Sequence, residues 1–324
     1  MSAAVAPPSP ASPASPASGE TSRLLGIDSS DIDIALVDDA KGDAAASYAE
    51  LLRSLLADAG AVADATLAPP SPPRGGGCVR RRCCCGSGRA ARLPPDVEAA
   101  RLTVRKMAKV KMAEDGAARR TLHEGNLAAI FLELTGTEVP TTAGGGDDAK
   151  ATFTGQHWET IGFQGSDPSR DLRAAGMLAV LQLRYLTTTH RGMARQLLEL
   201  SQHEEQYFPF ATVSINVTAI VLQTLRSRAC HRMLLAASDA YDDCRPETVL
   251  GLANRLYAGA MLALHTRWVE DCCTITDFQI VSEDLTASCL TDPQALCDAQ
   301  PPPGAGAPPP AQMSPELPEA ERGA

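Results

Sequence analysis

Between Arg173 and Thr187 the chain is apolar on nearly every side of a helix: Met177, Leu178, Val180, Leu181, Leu183, Tyr185 and Leu186 leave no polar stripe to turn toward water. Such a helix is stable only when other elements cover it all round. The segment therefore demands a core, and the rest of the sequence supplies amphipathic helices to build one. Leu51, Leu52, Leu55 and Leu56 share a face over 44–59, with Gly60 as a stop. Asp96, after Pro94 and Pro95, is a candidate cap for the basic helical stretch "VEAARLTVRKMAKVKMAE". Leu127, Ile130, Phe131 and Leu134 line one side of a helix over 117–135, ended by Gly136. A further helix over 191–203 carries Leu197, Leu198 and Leu200. Over 247–269, Leu250, Ala253, Tyr257, Ala260, Met261, Leu264 and Trp268 recur at helical spacing, with Pro246 near the first turn.

One segment reads two ways. In "FPFATVSINVTAIVLQTLR", Val213, Ile215 and Val217 alternate with Ser214, Asn216 and Thr218 as in a strand. Phe210, Val213, Val217, Ile220, Val221 and Leu225 also fit a helical stripe, and length favours the helix. The fold class expected is all-α. Residues 1–95 read as largely low-complexity Pro/Ala/Ser and Pro/Gly/Arg/Cys sequence around the helix at 44–59. Residues 96–281 read as one helical domain, and 282–324 as an acidic, then Pro-rich, disordered tail.

Charge and cysteines narrow the function classes. The formal net charge of −10 argues against nucleic-acid binding, which rests on basic surfaces and counterion release. Cys78, Cys83, Cys84 and Cys85 crowd one Gly/Arg-rich patch and Cys272 adjoins Cys273, a spacing unlike a secreted disulfide scaffold or a paired-cysteine metal site. A reducing cytoplasm is the expected location. No apolar run is long enough for a membrane span, which leaves peripheral association open. His203-Glu204 begins like a zinc-protease motif, but Tyr207 stands where the second histidine belongs. No phosphate-binding loop of the G-x-x-x-x-G-K-[ST] type and no G-x-S-x-G elbow occurs.

The stretch left with chemistry in it is "WETIGFQGSDPSRDLR", directly before the buried helix. Asp167, Pro168 and Ser169 are turn and cap residues. Read from the residues alone, Asp171 caps the buried helix or pairs with Arg170 or Arg173, which makes Arg173 a structural cation.

This segment, Trp158 with Gly162-Phe163-Gln164-Gly165, Pro168 and Asp171-Leu172-Arg173, resembles the signature of ELMO domain proteins. Phe208-Pro209-Phe210-Ala211, Ile215-Asn216-Val217-Thr218 and "LYAGAMLALHTRWVEDCCTITDF" match the family in the same order, so the resemblance spans about 117–281. It implies a helical ELMO-type domain of the short, domain-only kind. It also implies a GTPase-activating protein for Arf and Arf-like GTPases, acting on the GTP-bound partner. Arg173 falls on the family's arginine-finger position, with Asp171, Gln164, Gly165, Trp158, Gly162, Phe163 and Pro168 in support and Tyr185 behind them. No cofactor is implied, since GTP and Mg²⁺ would belong to the partner; nor is catalysis on a small molecule by the chain alone. The alternative is a scaffold that binds a GTPase or its exchange factor without catalysis. Two departures stand out: Arg170 precedes the Asp, and Ala174 replaces the glycine after Arg173, adding a Cβ where a close backbone approach would be restricted.

Overall fold

The computed structural model describes residues 48–62, 92–113, 117–140, 153–241 and 244–299. Most of the low-complexity sequence, the Cys78–Cys85 patch and the tail beyond 299 lie outside the described residues. Among the described residues ten α-helices follow in order: α1 Tyr48–Ala61, α2 Pro95–Met107, α3 Ala117–Thr135, α4 Gly176–Thr189, α5 Arg191–Ser201, α6 Phe210–Arg226, α7 His231–Tyr241, α8 Pro246–Glu270, α9 Phe278–Thr291 and α10 Pro293–Asp298. No strand occurs among the described residues.

The all-round apolar segment is α4. It is packed by α1, α2, α3, α5, α6 and α8, as its pattern requires. Its termini differ from the sequence expectation: the α-helix starts at Gly176, and Arg173 closes a separate 3-10 helix, Pro168–Arg173. The second central helix is α8, where α2, α4, α6, α7, α9 and α10 converge. Buried polar groups join these layers. Asn254 donates to the Tyr48 hydroxyl (3.0 Å), Gln182 to the Ala253 carbonyl (3.2 Å), and Arg101 on α2 to the Leu225 carbonyl near the end of α6 (3.0 Å). Each bond satisfies a group that would destabilise the core if left alone.

The ambiguous segment is the helix α6. Ser214 and Thr218 are fully buried despite their polarity. Ser214 and Tyr257 hydrogen-bond through their hydroxyls (2.6 Å), and Thr218 and Thr224 return their hydroxyls to carbonyls one turn back (3.3 and 2.9 Å). Small hydroxyls satisfied in this way sit inside a helix without a polar face. The strand-like alternation is thus a by-product of burial on both sides.

The expected end of the fold at 281 is corrected by α9 and α10. Val281, Leu285 and Cys289 form one buried stripe at intervals of a helical turn, while Glu283 and Asp284 occupy the outer face. Pro293 is the first residue of α10 and not a break, with Asp292 accepting from the Ala295 amide (3.2 Å). The α10 backbone lies so close to α8 that a Cβ on Gly259 would overlap the Leu296 carbonyl.

Candidate functional site

Trp158 sits in a 3-10 helix, Gln156–Ile161, and is fully buried. Its indole Nε1 donates to the Phe153 carbonyl (2.7 Å), and its ring meets Phe131 and Phe163 edge-on at 5.6 and 5.8 Å. Phe163 is buried as well. Gly162 ends this turn in the left-handed region, at φ 88°. Its carbonyl accepts from both the amide (3.1 Å) and the hydroxyl (3.0 Å) of Thr212, in the first turn of α6. A Cβ at Gly162 would fall 2.2 Å from the Phe210 amide nitrogen, so only glycine fits this contact.

The loop before α6 is fixed from its other side. Gln206 accepts from the Trp268 indole (2.9 Å) and donates to the Trp268 carbonyl (2.8 Å), while the Phe208 and Trp268 rings pack 4.8 Å apart. Three stretches far apart in sequence, around Gly162, Phe208–Ala211 and Trp268, therefore meet at one end of the helix bundle.

From Gly162 the chain passes through Gln164 and Gly165 (φ 123°) into the second 3-10 helix. Asp167 caps it by accepting from the Ser169 amide (3.0 Å), and Pro168 is its buried first residue. Asp171 does neither task expected of it. Its carboxylate accepts from the Gln164 main-chain amide (2.7 Å), tying the 3-10 helix back to the Gly-Phe-Gln-Gly turn. The residue before α4 is Ala175, and no side chain caps that helix. Arg170 leans toward Asp167 at 3.7 Å. Leu172 is buried beneath the turn, and Arg173 next to it is exposed. The Arg173 guanidinium makes no hydrogen bond or ion pair among the described residues.

Ala174 is an ordinary right-handed residue (φ −76°, ψ −37°) with an exposed side chain, so its Cβ obstructs nothing. The close approach falls instead on Gly176, at φ 55°, where a Cβ would lie 2.5 Å from the Val110 carbonyl that accepts from Met177 (2.9 Å). Tyr185 does not back the turn. It lies roughly 13 Å further along α4 at the standard helical rise, with its ring edge-on to His190 at 5.6 Å.

The contact at Val110 brings a segment into the site that the sequence reading did not select. Helix α2 stops at Met107, and residues 108–113 run past the start of α4. Together with the 3-10 helix and α3 they frame an open groove of about 680 Å³, with Val110, Met112, Phe153 and Leu172 among its lining and Arg173 at its edge. Lys109 and Lys111 also line it. The basic character of this stretch was visible in the sequence, but its place beside Arg173 follows only from the packing of Gly176 on Val110.

The ELMO/CED-12 family model matches residues 104–282, more than half of the chain. The chain belongs to the ELMO/CED-12 family. This is a family linked to small-GTPase signalling. Curated relatives include bovine ELMO domain-containing protein 3, 35% identical over 178 residues, which is 54% of this chain and 42% of the relative. The human protein of the same name is 33% identical over 178 residues, with the same coverage of 54% and 42%. ELMO domain-containing protein B of Dictyostelium discoideum is 39% identical over 79 residues, 24% of this chain and 28% of the relative. The match thus spans less than half the length of these relatives. No solved structure matches the chain. The ELMO match begins in the last turn of α2 and ends early in α9, so it contains the whole site and leaves α1 and α10 outside. Among the described residues no helix is long and apolar enough to cross a membrane.

Proposed function

We propose that this chain is a GTPase-activating protein for small GTPases of the Arf and Arf-like class, and that Arg173 is the arginine it inserts beside the partner's GTP. The observation carrying this reading is the setting of Arg173. It is exposed at the end of a short 3-10 helix, without an acidic partner among the described residues, while Asp171 is engaged by Gln164. A structural arginine is normally held by a carboxylate or a carbonyl; this one is presented.

Hydrolysis of GTP is slow because negative charge redistributes over the phosphate oxygens in the transition state. A guanidinium supplied in trans meets that charge with a planar fork of donors, worth about 10³–10⁵ in rate. At about 1.36 kcal/mol per decade this is roughly 4–7 kcal/mol. The chain's own part is positional. Leu172 seats the turn in the core, Asp171 fixes it to Gln164, and Gly176 lets α4 start immediately behind it. A flexible arginine would lose much of this gain to ordering.

The test is single-turnover GTP hydrolysis by a panel of Arf-family GTPases, with and without the full chain. Acceleration of at least one member, abolished by Arg173→Ala, is expected. Binding without acceleration across the panel would replace this reading with the scaffold.

A further inference from the structure

The groove beside Arg173 carries a charge pattern opposite to that of the chain. Five cations line it: Lys109, Lys111, Arg120, Arg170 and Arg173. Two are held by acids within the same groove, Arg120 by Glu124 at 2.6 Å and Arg170 by Asp167 at 3.7 Å. The side chains of Lys109, Lys111 and Arg173 are exposed and form no hydrogen bond or ion pair among the described residues. Three cations with no acidic partner among the described residues thus stand on one face of a protein whose net charge is −10. Lys109 and Lys111 are also held in place: they flank Val110, whose carbonyl accepts from Met177 (2.9 Å), and Ala113 beyond them donates its amide to His123 Nδ1 (3.0 Å).

We propose that Lys109 and Lys111 form, with Arg173, a docking face for a GTPase whose surface beside its nucleotide is acidic. This rests on the reading of the partner as a small GTPase and goes beyond it by assigning the surface that recognises it. The argument is charge complementarity. A chain of net charge −10 does not attract an acidic partner as a whole, whereas this groove does, so an approach along it brings Arg173 to the partner. Fixed charges at the edge of an interface act chiefly on the association rate and on the choice of orientation, and salt weakens them. Lys109 and Lys111 are therefore positioning residues, and Arg173 alone acts on the phosphates.

The experiment measures association of the full chain with the GTPase panel, loaded with a non-hydrolysable GTP analogue, at low and at high salt. Lys109→Glu/Lys111→Glu is expected to slow association roughly tenfold or more at low salt, with the gap closing as salt rises and with the hydrolysis rate at saturating activator unchanged. Lys109→Gln/Lys111→Gln should give a smaller change in the same direction, and unchanged melting temperatures would exclude misfolding. Arg228→Glu/Arg232→Glu is the charge-matched control, beyond the end of α6 that packs on Arg101 of α2; its association should stay near wild type. Equal effects of the two double reversals, an unchanged association rate, or no association with any member of the panel would each overturn the proposal. A variant that loses binding to phosphatidylserine-containing vesicles but not to the GTPases would overturn it in favour of a membrane face. The two readings fail separately. If Arg173→Ala abolishes acceleration while the lysine reversal changes nothing, the docking face falls and the activator stands. If the lysine reversal weakens binding but no GTPase is accelerated, the opposite holds.

Discussion

The carboxylate of Asp171 accepts the main-chain amide of Gln164 at 2.7 Å, across seven residues of chain. This bond joins the Gly-Phe-Gln-Gly turn to the 3-10 helix that ends in Arg173, so the arginine is located by the turn and not by a salt bridge of its own. Asp171→Ala should therefore lower stimulated hydrolysis while leaving most of the stability, with a loss of about 1–2 kcal/mol for one partly exposed hydrogen bond. Asp171→Asn keeps an acceptor and should recover most of the activity. Urea midpoints alongside single-turnover rates would check this; a rate unchanged in Asp171→Ala would disconnect the turn from Arg173.

Arg173→Ala and Arg173→Lys should both remove most of the stimulated hydrolysis, with the helical signal and melting temperature near wild type. Lysine brings charge without the planar fork. Binding of the GTP-analogue complex should weaken little, because the guanidinium acts mainly in the transition state. Arg170→Ala is the nearby control: its side chain leans on Asp167, and its loss should be milder. Collapse of the fold in Arg173→Ala would assign that residue a structural role.

Gly162→Ala should be among the most destabilising single changes, with a loss above about 3 kcal/mol or failure to fold. It combines a left-handed backbone with a Cβ placed 2.2 Å from the Phe210 nitrogen. Gly165→Ala, at φ 123° but facing open space, should show only the conformational strain of about 1–3 kcal/mol. Chemical denaturation of the pair separates the steric from the conformational contribution.

Trp158→Ala and Phe163→Ala should each destabilise by about 3–5 kcal/mol, the range for large core aromatics. Both are buried and stacked edge-on at 5.8 Å, so neither side chain is presented to a partner. Variants that keep the wild-type melting temperature yet lose GTPase binding would contradict this assignment.

His123 gives the fold a pH dependence. It is buried, its Nδ1 accepts from Ala113, and burial lowers its pKa from 6.5 to about 4, with Asp58 raising and Arg119 lowering it further. Between these values the unfolded chain binds the proton and the folded chain does not. Its contribution is complete above pH 6.5 and declines as pH falls toward about 4, by at most about 1.4 kcal/mol per pH unit. Urea midpoints across that window should fall with pH, and His123→Gln should flatten the slope. A slope identical in the variant would place the effect elsewhere.

The helices were legible where burial is one-sided or complete. The all-round apolar run of α4 and the stripe of α8 state their own surroundings, and Gly136 and Pro246 mark boundaries that backbone chemistry enforces locally. Helix α9 was missed because its buried stripe is only Val281, Leu285 and Cys289, and the acidic residues between them read as a solvated tail. The strand-like alternation in α6, outweighed by length in favour of a helix, has the opposite origin: its hydroxyls are buried and satisfied by its own backbone and Tyr257.

The site divides along the same line. The sequence alone determined that Gly162–Gly165, Pro168 and Asp171–Arg173 form a turn before a buried helix, because glycine, proline and aspartate act over a few residues. Only the tertiary structure decided what that turn does. It directed Asp171 to Gln164, set Gly162 against Phe210, and brought Lys109 and Lys111 beside Arg173 by packing Gly176 on Val110. The first of these relations spans seven residues, and the others join residues tens of positions apart. They are fixed by close approach and by where buried hydrogen-bond partners can be found, and no local pattern encodes either.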